Sequence, residues 1–268
     1  MYRLQRLSAS SVAGCVRPEN EDAAFVGPHV AVVADGVGGS PAGEVASAST
    51  AYVFASSFFL PPRPGTGASR LERAYADARA LLARGEVDVP ARAGMATTMS
   101  AVVPDERRVL VCHVGDTRVH LWRDGCLSRL TTDHTWVEHM LSRGVLRADQ
   151  AVTHPYRHVV VRSLAAQADS GEPDVLAIDV EPGDRLLLTT DGVHDVLGEG
   201  ALAAAVAGGA EGADRIVEMA LRAGSRDNVT ALLVEVLDDP PVVGDGLVLG
   251  ALRDPAHVVD PAQGYAVA

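Results

Sequence analysis

Four aspartates stand next to apolar stretches that are predicted to be strands. Asp35 follows HVAVVA, Asp116 follows VLVCHVG, Asp191 follows RLLLTT, and Asp227 precedes the apolar run that begins at Asn228. Carboxylates held at such points are partly removed from water. Several together repel one another and raise their pKa values unless a cation is present. Oxygen ligands of this kind suit Mg²⁺ or Mn²⁺, so the set indicates a site for divalent cations.

Each of these aspartates has a simpler explanation when it is taken alone. Asp-Gly is a common turn dipeptide, and Asp124-Gly125 between two predicted strands is interpreted as a turn only. The same dipeptide at 35–36 and 191–192 also allows a second role. A glycine lets the backbone approach a metal closely enough for its carbonyl to bind. The metal-site hypothesis therefore depends on the whole set.

The elements that must position these aspartates are read from hydrophobic periodicity and turn residues. Strands are predicted over 23–34 as a hairpin and over 95–103, 108–114, 118–123, 126–130, 174–180, 184–190 and 228–237. Helices are predicted over 42–59, 68–84, 135–143, 199–207 and 212–223. Strands in two batches, with helices between and after them, favour an α+β protein whose antiparallel sheets are covered by helices.

The chain is predicted to hold one catalytic domain over residues 1–238. The composition then shifts to proline, glycine and aspartate, so residues 239–268 are predicted to be a poorly ordered tail. A final strand docked at LVLGAL, residues 247–252, is the alternative.

Composition and charge exclude several classes of function. The 268 residues include 35 acidic and 23 basic ones, all of the latter arginine, for a net charge of −12. This balance argues against nucleic acid as a partner. A protein kinase is also excluded, because its phosphate-binding lysine cannot occur in a chain without lysine. The three cysteines form no Cys-x-x-Cys pair, and no apolar run resembles a secretion signal or reaches the ~20 residues of a membrane span. A cytoplasmic protein with no membrane segment is therefore expected.

Nine short motifs, in order, resemble the PPM family, the PP2C-type protein phosphatases, in its bacterial form. They are RPENED at 17–22, ADGVGG at 34–39, Gly43-Glu44, ATTM at 96–99, VGDTR at 114–118, LTTDH at 130–134, the stretch from His154-Pro155 to Leu164, TDG at 190–192 and RDNVT at 226–230. The resemblance covers roughly residues 8–237. It implies a four-layer α-β-β-α sandwich, with two antiparallel sheets packed face to face and flanked by helices.

The resemblance also implies the roles of individual residues. Asp35 would bridge two Mn²⁺ or Mg²⁺ ions, with the Gly36 carbonyl on one of them, and Arg17 would bind the phosphate. The remaining metal ligands would be Asp191 and Asp227 on one ion, Asp22 (with Glu21 as second choice) on the other through water, and Asp116 on a possible third ion. A hydroxide bridging the two ions would then attack phosphorus in phosphoserine or phosphothreonine.

This sequence departs from some relatives at Val37, where they carry a histidine that is a candidate acid for the leaving group. A metal-bound water is the default acid here. The resemblance implies phosphorylated proteins as substrates, a Ser/Thr kinase as counterpart and a monomeric state. Two alternatives stay open: a catalytically weak module with this fold that binds phosphoproteins, and an enzyme acting on small phosphoesters.

Overall fold

Two antiparallel β-sheets form the centre of the structure, a computed structural model that describes residues 2–60, 63, 65–167, 171–240, 242 and 246–261. The strands are β1 (Tyr2–Val12), β2 (Asp22–Val26), β3 (Ala31–Gly36), β4 (Ala96–Asp105), β5 (Arg108–Val114), β6 (Arg118–Arg123), β7 (Cys126–Arg129), β8 (Leu164–Ala165), β9 (Asp174–Asp179), β10 (Arg185–Thr189), β11 (Val229–Asp238) and β12 (Leu247–Gly250). The five-stranded sheet has the order β1-β11-β10-β6-β7. The seven-stranded sheet has the order β12-β2-β3-β4-β5-β9, with β8 paired to β4.

Seven α-helices are found among the described residues. They are α1 (Gly43–Ser57), α2 (Gly67–Asp88), α3 (Trp136–Ser142), α4 (Ala148–Ala151), α5 (Asp191–His194), α6 (Glu199–Ala207) and α7 (Gly212–Arg222). Helices α1 and α2 pack on the seven-stranded sheet, while α6 and α7 pack on the five-stranded sheet. The predicted α-β-β-α sandwich is confirmed.

Strand β3 shows why these sheets have such apolar strands. Its side chains alternate between the two faces. Val32 and Ala34 belong to the apolar cluster beneath α1 and α2, while Ala31 and Val33 belong to the cluster between the sheets. Because both faces are covered, every position before Asp35 is apolar and buried.

Strand β1 is an element that the sequence analysis does not assign. It lies at the edge of the five-stranded sheet and pairs with β11 from Tyr2↔Asp238 to Val12↔Val229. Many of its side chains are partly exposed, and charged residues such as Arg3 and Arg6 interrupt its apolar positions. An edge strand of this kind lacks the continuous apolar run by which the central strands are recognised.

The C-terminal residues differ from the predicted poorly ordered tail. Strand β12, Leu247–Gly250, pairs with β2, which corresponds to the docked-strand alternative. Two 3-10 turns follow, at Ala251–Arg253 and Pro255–His257, and Val259 is buried. Residues 241, 243–245 and 262–268 of the predicted tail lie outside the described residues. The boundary at residue 238 stays a prediction.

A membrane-spanning helix must combine a length of about 20 residues with an apolar surface. Within the described ranges, no helix is both long enough and apolar enough to cross a bilayer.

Candidate active site

The ends of both sheets meet at one cavity of about 670 Å³. The seven-stranded sheet contributes Asp35, within β3, and Asp116, which follows β5 by two residues. The five-stranded sheet contributes Asp191, which follows β10 by two residues, and Asp227, which precedes β11 by two. All four line the cavity, as do Arg17, Glu21, Gly36 and Val37. The structure thus brings together the four aspartates that stand at strand ends.

Asp22 lies behind this cavity, not on its wall. Its side chain is fully buried, and its Oδ2 accepts hydrogen bonds from Thr190 Oγ1 at 2.9 Å and Thr230 Oγ1 at 2.6 Å. Its Oδ1 has no hydrogen-bond partner among the described residues. Neighbouring side chains of an extended segment point in opposite directions. Glu21 therefore reaches the cavity wall where Asp22 does not.

The five aspartates Asp22, Asp35, Asp116, Asp191 and Asp227 form what we call the aspartate cluster. Burial and mutual repulsion raise the pKa values of Asp22, Asp35, Asp116 and Asp191. Burial, and then the charges of Asp22 and Asp191, raise the pKa of Asp35 well above its usual range. Burial and the charge of Asp116 do the same to Asp191. Burial raises the pKa of Asp22 and of Asp116 to about 7, although the two threonine hydroxyls partly offset the effect at Asp22.

These residues fit a site for divalent cations. The donors are carboxylate oxygens, which Mg²⁺ and Mn²⁺ prefer, and they come from four different strand ends. The unpartnered Oδ1 of Asp22 is a buried acceptor that calls for an explanation, and a nearby cation or its water would provide one. Bound cations would also remove the repulsion that raises these pKa values.

The backbone around Asp35 is held by close contacts from neighbouring elements. A Cβ atom at Gly36 would lie 2.6 Å from the carbonyl oxygen of Gly43, so α1 begins directly against the end of β3. The Gly36 N–H donates to the Glu21 carbonyl at 3.2 Å, and Thr97 Oγ1 donates to the Asp35 carbonyl at 2.8 Å. The Glu21 N–H donates to Asn228 Oδ1 at 2.8 Å. The glycine is therefore required by packing at this strand end.

Arg17 is the cation of the cavity wall that contacts the aspartate cluster. Its Nη2 donates to Asp227 Oδ2 at 2.7 Å, and this hydrogen bond raises the pKa of the guanidinium. The two side chains are 41% and 37% exposed, so the pair lies at the mouth of the cavity and can open toward a ligand.

Two cavity residues that could hold a metal ion together with Asp191 are absent from the predicted site. Asp195 and His158 each place a ligand atom within 4.8 Å of the other and of Asp191. His158 Nδ1 lies 3.3 Å from Asp195 Oδ2. The spacing of Asp191 and Asp195, four residues apart across α5, could have revealed the aspartate, because such residues share a helix face. Nothing in the local sequence singles out His158, which the sequence analysis leaves without a site role.

Similarity to known proteins agrees with this site. The sequence profile of the family described as Protein phosphatase 2C matches residues 19–238. Serine/threonine protein phosphatase PstP of Mycobacterium tuberculosis is 35% identical over 237 residues, which are 87% of this chain and 45% of that protein. Serine/threonine phosphatase stp of Listeria monocytogenes is 29% identical over 236 residues, 83% of this chain and 92% of that protein. The chain thus spans less than half the length of the mycobacterial relative.

Solved structures show the same architecture. A crystal structure of M. tuberculosis PstP superposes with a TM-score of 0.82 at 33% identity and covers 88% of this chain and 100% of that one. The PstP catalytic domain in complex with two manganese ions gives a TM-score of 0.79 at 32% identity, over 89% of this chain and 100% of that one. The matched profile, the shared fold and the aspartates at the strand ends lead to one conclusion: this chain belongs to the protein phosphatase 2C family.

Proposed function

We propose that this chain hydrolyses phosphoserine and phosphothreonine in proteins with the help of Mn²⁺ or Mg²⁺. The observation that carries the proposal is the convergence of aspartates from both sheets on one cavity whose wall also holds an arginine. The relatives named serine/threonine phosphatase support the reaction class, and the relative with two manganese ions supports the cofactor.

Two ions would be held by the cavity residues and by the segment behind them. Asp35 would be a ligand of both ions, with the Gly36 carbonyl on one of them. We assign Asp191 and Asp227 to one ion, and Glu21, with Asp22 behind it, to the other. A possible third ion would be held by Asp116 and Asp191, with the Asp195 carboxylate and the His158 imidazole close by. When bound, divalent cations supply an acidified water and offset charge on phosphoryl oxygens.

The protein groups have separate tasks in this reaction. Arg17 would exchange Asp227 for two oxygens of the phosphoryl group, because its planar fork suits such a pair. Asp35, rigidly held by Thr97 and by the packing of Gly36, keeps the reacting centre in place. Val37 lines the cavity but has no proton to donate, so we keep water as the assigned acid for the leaving serine or threonine oxygen.

We propose phosphorylated proteins as substrates, a cognate Ser/Thr kinase as the counterpart, and a monomer in the cytoplasm as the working form. The net charge of −12 supports a site that accepts phosphate only where cations reverse the field. The thiols of Cys15, Cys112 and Cys126 are unbridged, which supports a reducing compartment.

The test is a phosphatase assay on p-nitrophenyl phosphate and on a phosphothreonine peptide, in EDTA, Mg²⁺ or Mn²⁺. Asp35→Asn and Asp191→Asn should lower metal-dependent turnover at least about 100-fold, since loss of even outer metal-site partners typically costs 10–100-fold. Asp124→Asn is the matched control, because Asp124 is an exposed turn residue at φ 50° remote from the cavity wall. It should keep wild-type activity.

Other outcomes would select the alternatives. Turnover of the small ester without the peptide would indicate an enzyme for small phosphoesters. A folded protein that binds Mn²⁺ but turns over neither substrate would indicate a module that binds phosphoproteins.

A further inference from the structure

A segment that follows the matched family domain contacts β2, the strand that begins at Asp22. We define it as the C-terminal strap, residues 246–261; the family match ends at residue 238. Its strand β12 forms the outer edge of the seven-stranded sheet and pairs with β2 from Leu247↔Val26 to Gly250↔Ala23. The strap thus runs along the strand that begins at Asp22.

The strap is anchored on both sides of the sheet edge. Leu249 is buried in the apolar cluster between the sheets, and Leu252 is buried in the cluster beneath α1 and α2. At the far end, the Val259 N–H donates to the buried Ser49 hydroxyl of α1 at 3.0 Å. The Val259 side chain lies so close to Gly85 of α2 that a Cβ there would be 2.6 Å from it.

Gly250 is the residue at which the strap meets the site. Its φ of 60° and ψ of −141° lie in a region that is open almost only to glycine. A Cβ atom at Gly250 would overlap the backbone carbonyl oxygen of Asp22 and approach Ser11 Oγ to 3.0 Å. Any side chain here would therefore push on the backbone of Asp22.

Both neighbours of Gly250 lead to the Asp22 carboxylate. Ser11 Oγ is hydrogen-bonded to Thr230 Oγ1 at 2.7 Å and accepts from Asn20 Nδ2 at 3.0 Å. Thr230 Oγ1 in turn donates to Asp22 Oδ2 at 2.6 Å. A displacement at Gly250 reaches Asp22 directly through its backbone and indirectly through Ser11 and Thr230.

We infer that the C-terminal strap is a positioning element for the metal site, and that Gly250 is its positioning residue. The strap fixes the backbone of Asp22, and with it the adjoining Glu21, relative to Asp35, which is the register partner of Asp22 across β2 and β3. The inference rests on the proposed function, since Glu21 and Asp22 are assigned there to one ion. Loosening the strap at β12 should therefore weaken cation binding by more than its effect on folding would explain.

The experiment measures Mn²⁺ affinity by calorimetry, beside thermal midpoints in EDTA, for the full chain and three variants. Gly250→Ala should raise the Mn²⁺ dissociation constant about 10-fold or more, the usual cost of disturbing a support of a metal ligand. Leu249→Ala, which loosens β12 without a clash, should raise it in the same direction. Val259→Ala is the control, because it weakens the strap far from Asp22. It should lower the thermal midpoint and leave the dissociation constant within about twofold of the wild-type value.

The outcomes separate this inference from the proposed function. If wild-type protein binds no Mn²⁺, the proposed metal site is wrong and the inference fails with it. If wild type binds Mn²⁺ and the Gly250 and Leu249 variants bind as tightly, the strap is only a structural cover and this inference alone is wrong. Should Gly250→Ala fail to fold, Leu249→Ala against Val259→Ala decides by the same criterion.

Discussion

Two groups of titratable side chains lie close together in this protein and are built in opposite ways. The aspartate cluster gathers like charges, and the described part of the chain gives Asp22 Oδ1 no hydrogen-bond partner. The histidine cluster, which we define as His113 and His134, has ring centroids 4.7 Å apart. Each of its ring nitrogens has a partner within the protein.

The partners of the histidine cluster come from several neighbouring elements of the fold. His113 Nδ1 is hydrogen-bonded to Ser100 Oγ at 2.9 Å, and its Nε2 to the Thr132 carbonyl at 3.0 Å. His134 Nδ1 accepts from the Gly115 N–H at 3.0 Å, and its Nε2 lies 3.2 Å from Asp174 Oδ2. These contacts give His134 a structural hydrogen-bonding role.

The difference teaches how to separate a structural site from a site that awaits a ligand. A buried polar group that the fold satisfies stabilises the fold, whereas like charges gathered at one site repel one another until a counter-ion binds. The two clusters are linked through Gly115, the neighbour of Asp116, because the His134 backbone N–H donates to the Gly115 carbonyl at 2.7 Å. The satisfied cluster thereby fixes the turn that presents Asp116 to the cavity.

Removal of metal should have the largest effect and should act on the aspartate cluster. Mn²⁺ at about 100 times its dissociation constant should stabilise wild type by about 2.7 kcal/mol per ion, because only the folded state binds it. Asp35→Asn should lose most of this gain. In EDTA the same variant should be more stable than wild type, since one repelling carboxylate is gone. Thermal unfolding with and without EDTA measures both the lost stabilisation by Mn²⁺ and the higher stability of the variant in EDTA. A less stable Asp35→Asn in EDTA would contradict the account of repulsion.

Acid should act on the histidine cluster. Burial, followed by the charge of His134, lowers the pKa of His113 from 6.5 to about 4. As pH falls, His113 therefore takes up a proton at a higher pH in the unfolded chain than in the folded one. The stability from neutral His113 is therefore complete above pH 6.5 and is lost as pH falls to about 4. Its full extent is about 3 kcal/mol.

His113→Gln tests this assignment, because glutamine does not titrate. Its unfolding free energy in EDTA, measured by urea titration from pH 7 to pH 4.5, should change less than that of wild type. His139→Gln, which removes an exposed histidine of α3, is the control and should follow wild type. An unchanged pH slope in His113→Gln would remove His113 from the explanation.

The smallest effect is expected at His158, which could belong to either kind of site. Its side chain is 42% exposed, so His158→Ala should change the unfolding free energy in EDTA by at most about 0.5 kcal/mol. Its proximity to Asp191 and Asp195 should instead appear as weaker binding of the last Mn²⁺ ion in a paramagnetic-resonance titration. Unchanged binding of all ions would place His158 outside the metal site.

Much of the fold and part of the site follow from local sequence. Apolar runs mark β3, β5, β10 and β11 because both faces of each sheet are covered, and the glycine-rich breaks mark their ends. Asp35, Asp116, Asp191 and Asp227 could be predicted as a set because they share this relation to their strands. Strand β1 could not, since its edge position leaves its pattern mixed.

The sequence by itself therefore determined the layered sandwich and the aspartates at its strand ends. Strands buried on two faces are recognisable as apolar runs, and the aspartates are recognisable because they stand where these runs end. Only the tertiary structure decided that Glu21 faces the cavity while Asp22 lies behind it, that His158 joins Asp195, and that Gly250 abuts Asp22. These relations join residues that are distant in sequence, or divide neighbours between two faces. Packing between the layers of the fold determines both kinds of relation, and no local sequence pattern predicts them.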